Sequence, residues 1–175
     1  MGEINYMVRI LDNLAENDEN LIYVLASSTI LNDDILKHTF LLNGYTSFNK
    51  IFSSFHFDKR DGFPQNFLYA KYIVVADPIQ YHLRPEDQRI IFILANQIIN
   101  QKAIGLSFQK LPYKFNLDDN IKIHIYKKVK PQKKSDLDNL SKLFMMYYPN
   151  NKEFFKIKGI DFFNKKYLFK PLLFS

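Results

Sequence analysis

The chain has no cysteine in its 175 residues, which excludes disulfide staples, thiolate metal sites and a cysteine nucleophile. The absence says little about compartment. Glycine is scarce, with five residues. Neither G-x-G-x-x-G nor G-x-x-x-x-G-K-[ST] occurs, so a phosphate-cradling loop of the usual kind is missing. The four histidines, His38, His56, His82 and His124, are scattered, without H-x-x-x-H or H-E-x-x-H spacing. No metal and no cofactor is expected. No apolar run reaches the roughly 20 residues that span a bilayer, and no signal peptide is visible, so the stretch reads as a soluble domain.

What is present is a large apolar and aromatic content. The hydrophobic fraction is 47%, and 17 Phe and 11 Tyr bring the aromatic fraction to 16%. That excludes a disordered chain and supplies enough side chains for one real core. The formal charge is +6, and its basic residues gather late: Lys127, Lys128, Lys130, Lys133 and Lys134, then Lys156, Lys158, Lys165, Lys166 and Lys170. Such clusters suit phosphates or anionic headgroups, or are simply a solvated face. Heavy use of Lys, Asn, Ile, Phe and Tyr also fits an AT-rich bacterial genome, which weakens a functional reading of the charge.

The periodicity predicts a helix over 4–16, with Ile4, Val8, Leu11 and Ala15 on one face. "LIYVLASS" (21–28) reads as a buried strand, followed by a helix over 33–43 capped by Asn32 or Asp33 and ending near Gly44. Residues 45–65 read as a polar, aromatic loop. "YIVVA" (72–76) is a second buried strand, closed by Asp77-Pro78. Pro85, Glu86 and Asp87 are expected to open a buried helix over about 85–101. Residues 106–131 read as a β-hairpin turning at Asp118-Asp119-Asn120, with Ile121, Ile123 and Ile125 alternating with Lys122, His124 and Tyr126 as in a half-buried strand. A helix over 137–148, capped by Ser135 or Asp136, and an aromatic, Lys-rich tail complete the chain. The expected fold is a single α/β domain over 1–150, with a tail over 151–175 packed on it. Its small mixed sheet combines two buried parallel strands with an antiparallel hairpin, flanked by helices.

If the two buried strands are parallel neighbours, their C-terminal ends share the sheet edge where open α/β sheets bind ligands. The candidate binding residues there are Ser27, Ser28, Asp77, Gln80 and His82, with Asp58, Arg60 and Asp61 of "DKRDGFP" able to join them, and helix N-termini able to offer N–H groups to an anion. Ser28, His82 and Asp77 can be written as a triad, but no G-x-S-x-G elbow exposes the serine. No catalytic residue is assigned. The same residues also serve as ordinary caps and turn formers.

"LIYVLASSTILNDDIL", "DKRDGFPQNFLYAKYIVVADPIQYHLRPEDQRII", "GLSFQKL", "IKIHIYKKVKP" and "FMMYYPN" together resemble the C-terminal soluble region of bacterial polytopic membrane glycosyltransferases. These are of the glycosyltransferase-C type, similar to dolichyl-phosphate-mannose–protein mannosyltransferases. The resemblance covers roughly residues 5–155 as a pattern across segments. It implies a parent chain in the cell membrane that uses a lipid-linked sugar donor, with this domain on the extracytoplasmic side and no activity of its own. The strand edge would then meet a glycan or protein acceptor, and the late lysines the membrane surface. The alternatives are a free-standing small-molecule-binding or hydrolase-like α/β protein, and a nucleic-acid-binding module, for which arginine is too sparse and no recognition motif appears.

Overall fold

A computed structural model describes residues 2–16, 20–54, 57–118 and 120–158. His56, Asp119, Lys165, Lys166, Lys170 and most of the tail lie outside the described residues. The elements are α1 (Glu3–Leu14), β1 (Ile22–Leu25), α2 (Asp33–Leu42), β2 (Ile51–Ser53), a single turn α3 (Asp58–Asp61), β3 (Tyr72–Asp77), α4 (Arg89–Ile99), β4 (Phe108–Lys110), β5 (Phe115–Asp118), β6 (Ile121–Lys128) and α5 (Lys134–Tyr147). Short 3-10 turns at Ser47–Lys50, Gln65–Tyr69, Ala103–Ser107 and Pro149–Phe155 connect them.

Six strands form one mixed sheet in the order β2-β1-β3-β6-β4, with β5 also on β6. As expected for the two buried strands, β1 and β3 are parallel, with Ile22 opposite Tyr72 and Leu25 opposite Val75. β6 runs antiparallel to β3, pairing Tyr72 with Lys127 and Asp77 with Lys122. β4 and β5 lie end to end along the far side of β6. Lys110 faces Tyr126 and Phe115 faces Ile123, so four residues (111–114) on this edge span what two cover on β6.

Side-chain alternation divides the core in two. Ile22, Val24, Val74, Ala76, Ile123 and Ile125 face one way, onto Met7, Val8 and Leu11 of α1 and Leu36 and Phe40 of α2. Tyr23, Leu25, Ile73, Val75 and Tyr126 face the other, onto Ile90, Leu94 and Ile98 of α4 and Leu140 and Phe144 of α5. With helices on both faces, the central strands need apolar residues at nearly every position. That is why "IYVL" and "YIVVA" read as unbroken apolar runs. Truncating a core residue such as Leu94 to Ala is expected to cost about 2–5 kcal/mol.

Several boundaries differ from the sequence reading. The 45–65 stretch holds β2, which adds a third parallel strand beside β1, and α3. The helix expected from Pro85 starts at Arg89, where Asp58 accepts Ile90 N as the cap while the Gln88 side chain fills the sheet edge. The last helix starts at Lys134, and neither Ser135 nor Asp136 caps it. β6 is not half-buried: Ile123, His124, Ile125 and Tyr126 are all buried, since helices cover both faces.

α2 and α4 end the same way. Tyr45 N donates to Phe40 O (3.0 Å) and Gly44 N to Leu41 O (3.0 Å), with Gly44 at φ 74°. The Phe40 and Tyr45 rings sit 6.0 Å apart, edge to face. This is the six-to-one and five-to-two pair of bonds that favours glycine in the left-handed position. α4 repeats it with Lys102 N on Gln97 O (2.9 Å) and Gln101 N on Ile98 O (3.2 Å), but the left-handed residue, at φ 52°, is Gln101. Four residues on, Gly105 is required for space rather than for a left-handed backbone. A Cβ there would sit 1.9 Å from Gln97 O.

Candidate functional site

The connection leaving β1 leads to α2 on one face, and that leaving β3 leads to α4 on the other. The crevice between the two strand ends is therefore a topological switch point, the usual ligand position in such sheets. Here it is closed. Ser27 N donates to Gln80 O at 3.0 Å, and Ser27 bridges Tyr81 as an extra parallel rung. Gln88 has 0% exposure, and its Oε1 accepts from the backbone nitrogens of His82 and Leu83, both at 3.2 Å. Its amide also meets Ser27 Oγ, at 2.9 Å from Nε2 and 3.1 Å from Oε1.

His82 Nδ1 lies 2.6 Å from Ser27 O and 3.0 Å from Ser27 Oγ. A lone pair facing a carbonyl oxygen at that separation would be repulsive. The ring proton therefore sits on Nδ1 and is donated to the carbonyl. A serine nucleophile needs a lone pair on the nitrogen facing it, and His82 presents a proton there. The trio is a saturated network.

The other residues expected at this edge are distributed between structural tasks and a second place. Ser28 Oγ accepts from Ile30 and Leu31 N, both at 3.2 Å, and Asn32 caps α2 by accepting Ile35 N at 2.8 Å. Gln80 donates to Pro78 O at 3.1 Å. Arg60 makes a two-point pair with Asp61, Nε–Oδ1 2.6 Å and Nη2–Oδ2 2.8 Å, on an exposed turn. Asp58 is only 1% exposed. Its Oδ2 accepts Ile90 N (2.9 Å) and the Tyr148 hydroxyl (2.8 Å), so it caps α4 from another segment. Burial pushes its carboxyl up to about 6, although those two bonds pull the other way. Both helix N-termini are thus occupied by side chains of the chain itself. Asp77 does not join Ser28 or His82.

Asp77 belongs to a separate cleft of about 370 Å³, lined by Asp77, Phe108, Lys110, His124, Tyr126 and the end of α4 at Ile99 and Gln101, with Gln109 at its rim. The sheet register assembles it. Val75 faces His124 and Asp77 faces Lys122 across β3 and β6, while Lys110 faces Tyr126 across β4. Directly paired and two-residue-spaced side chains project to one face, which brings Asp77, His124, Tyr126 and Lys110 together. His124 is 7% exposed, and its Nδ1 is buried with no hydrogen-bond partner among the described residues. Burial lowers its basicity, and so do Lys110, Lys122 and Lys114, while Asp77 opposes them. Burial, and then Asp77, raises the Tyr126 hydroxyl. At neutral pH the base of the cleft is therefore a neutral imidazole and a neutral phenol, with Asp77 and Lys110 as the charged groups.

No family model, curated protein or solved structure matches this chain.

The cleft's own residues limit what it can do. Among the described residues no group of three His, Asp or Glu side chains could hold a metal ion. Among the described residues that line it there is no paired carboxylate and no serine or threonine beside His124. What the cleft offers is an acceptor at Asp77, a donor at Lys110, two-way groups at Tyr126, Gln109 and His124, and apolar surface from Phe108 and Ile99. That is an arrangement for holding a polar molecule.

Of the residues singled out in the sequence, only Asp77 lies in this cleft. His124, Tyr126, Lys110, Gln101 and Gln109 were missed as site residues. The available signal was a lone histidine in a strand otherwise alternating isoleucine with lysine and tyrosine. The side-chain period shows which face it shares, but pairing with β3 and β4 is needed to show its neighbours.

Proposed function

We propose that this chain is a non-catalytic recognition domain that holds a small polar ligand of the sugar type in the cleft over His124. The carrying observation is an open cleft of about 370 Å³ that gathers Asp77, Lys110, Gln109 and Tyr126 beside the apolar side chains of Phe108 and Ile99. A polyol suits the mixture of donors, acceptors and one aromatic face. The saturated Ser27–His82–Gln88 network supports binding rather than hydrolysis, because it leaves no base for Ser27.

The resemblance in the sequence extends this reading to a parent protein. The domain would be the extracytoplasmic part of a bacterial membrane glycosyltransferase with a lipid-linked sugar donor, and the cleft would receive a glycan acceptor. No helix among the described residues is long and apolar enough to cross a membrane, so the spans of such a parent would lie elsewhere.

Amide NMR with mannose, glucose and N-acetylglucosamine as probes tests the binding. Shifts confined to His124, Tyr126, Lys110 and Gln101 are expected at millimolar sugar. Silence of these amides toward all three sugars, together with turnover of p-nitrophenyl acetate abolished by Ser27→Ala, would replace recognition by hydrolysis. The gene tests the parent: an open reading frame without any hydrophobic region joined to this domain removes the glycosyltransferase part.

A further inference from the structure

We propose that the lysine-rich end of the sheet, at the close of β6, docks on an anionic lipid bilayer, with Lys130, Lys133 and Lys134 on the headgroups and Val129 and Leu106 as apolar tips. The cleft plays no part in it.

Residues 127–134, "KKVKPQKK", hold five lysines and no acid. The next acids along the chain, Asp136 and Asp138, follow on α5. Hydrogen bonds gather other segments around this run. Lys128 N donates to Lys71 O at 2.8 Å, which brings Lys71 beside it from the turn before β3. Val129 N donates to Ser107 O at 2.9 Å, and Ser107 Oγ to Pro131 O at 3.2 Å, so the turn before β4 lies along the run. Lys128 Nζ donates to Leu68 O, next to Tyr69. Lys130, Lys133 and Lys134 are exposed, whereas Lys71, Lys127 and Lys128 are half-buried.

At the other end of the strands the charges are mixed. Asp33, Asp34, Asp77 and Asp87 stand there with Lys37, Arg84 and Arg89. The run at the close of β6 has no such mixture within it. An anionic surface would therefore turn this end of the domain toward itself.

The apolar groups decide what kind of anion fits. Val129 is 52% exposed, Leu106 47% and Tyr69 37%. Leu106 precedes Ser107, so it flanks Val129. Two aliphatic side chains held out among lysines, with a tyrosine at their margin, match a bilayer interface. The ammonium groups meet the phosphates while the aliphatic tips reach below them. Nucleic acid is met by arginine forks and by aromatic rings that stack on bases. No arginine lies in this run or among the residues bonded to it. Each lysine close to an anionic membrane strengthens binding about fivefold, so the three exposed ones together give about a hundredfold.

The test is co-sedimentation of the full chain with vesicles of phosphatidylcholine, alone or with about 30% phosphatidylglycerol. Binding to the anionic vesicles is expected to be about a hundredfold tighter, and to fall at least about tenfold as salt rises from about 0.1 M to about 0.5 M. A variant carrying Lys130→Gln, Lys133→Gln and Lys134→Gln should bind the anionic vesicles about a hundredfold more weakly. Val129→Ser with Leu106→Ser should weaken binding about threefold to tenfold. All five positions are exposed, and either variant carries the test if the other fails to fold. Equal binding to both kinds of vesicle, or anionic binding that the lysine variant leaves unchanged, overturns the proposal. A double-stranded DNA oligonucleotide bound more tightly than the anionic vesicles, and indifferent to Val129→Ser with Leu106→Ser, overturns it too and assigns the lysines to nucleic-acid phosphates.

Discussion

The hydroxyl of Tyr148, at the end of α5, donates to Asp58 Oδ2 across 2.8 Å, joining two residues ninety positions apart. The same hydroxyl reaches Glu86 O at 3.2 Å, and the Arg89 guanidinium lies 5.9 Å from the Tyr148 ring centre. Asp58 in turn accepts Ile90 N. One buried carboxylate thus ties the α3 turn, the start of α4 and the end of α5. Its second oxygen, Oδ1, is buried without a partner among the described residues.

That carboxyl makes stability depend on pH. The folded chain holds its proton up to about 6, against an ordinary value of 3.8. Its contribution to stability is therefore fully present below the ordinary value and is lost as pH rises through about 6. Asp58→Asn removes the loss. Between about pH 4 and about pH 8 the difference in unfolding free energy should move in the variant's favour by up to about 3 kcal/mol. Urea unfolding followed by circular dichroism reads this directly. Parallel pH curves for the two proteins would show that the carboxyl titrates normally.

Tyr148→Phe removes the donor and leaves the ring. The expected loss is about 1–3 kcal/mol, larger at about pH 8, where the bond is charge-assisted, than at about pH 4. In an Asp58→Asn background the same substitution should cost less. A double-mutant cycle with no coupling between the two positions would contradict the bond.

Gln88 and His82 should separate structure from chemistry at the sheet edge. Gln88→Ala strands the nitrogens of His82 and Leu83 and the hydroxyl of Ser27, and should cost at least about 2 kcal/mol. His82→Ala sits at an exposed position and leaves the buried Gln88 amide in place, so about 1 kcal/mol or less is expected. Thermal melts of the two variants check the order. A larger loss for His82→Ala would reverse the roles given to these residues.

Gln101→Gly should stabilise the chain by about 1 kcal/mol, since glycine accepts the left-handed backbone without strain. It should also weaken ligand binding in the cleft, where Gln101 contributes to the lining. A variant that is more stable and binds equally well would show that the side chain at this position is not used. Gly105→Ala has the opposite expectation. The added methyl meets the backbone of α4 and should prevent normal folding, seen as loss of the cooperative melt.

The sheet's centre was legible because burial on both faces writes itself as "IYVL" and "YIVVA", whatever surrounds them. The cap at Asn32 and the stop at Gly44 were legible because both act within a few residues. The start of α4 was not, because its cap is Asp58, brought in from 32 residues away. β2 was too short, at three residues, to rise above its polar neighbours. The site divided along the same line. The switch-point crevice between β1 and β3 followed from strand order, but its closure depends on Gln88 folding back onto Ser27. The cleft over His124 depends on cross-strand register, which no single segment records.

The two outer edges of the sheet present little to another chain. One is β2, three residues long. The other is interrupted by the 111–114 insertion, where Pro112 lacks a donor and Lys110 and Lys114 carry like charges on either side. A second molecule seeking to extend the sheet would find no continuous row of hydrogen-bonding groups. The 111–114 insertion therefore makes edge-to-edge extension of the sheet between two copies of this domain unfavourable along that side of β6.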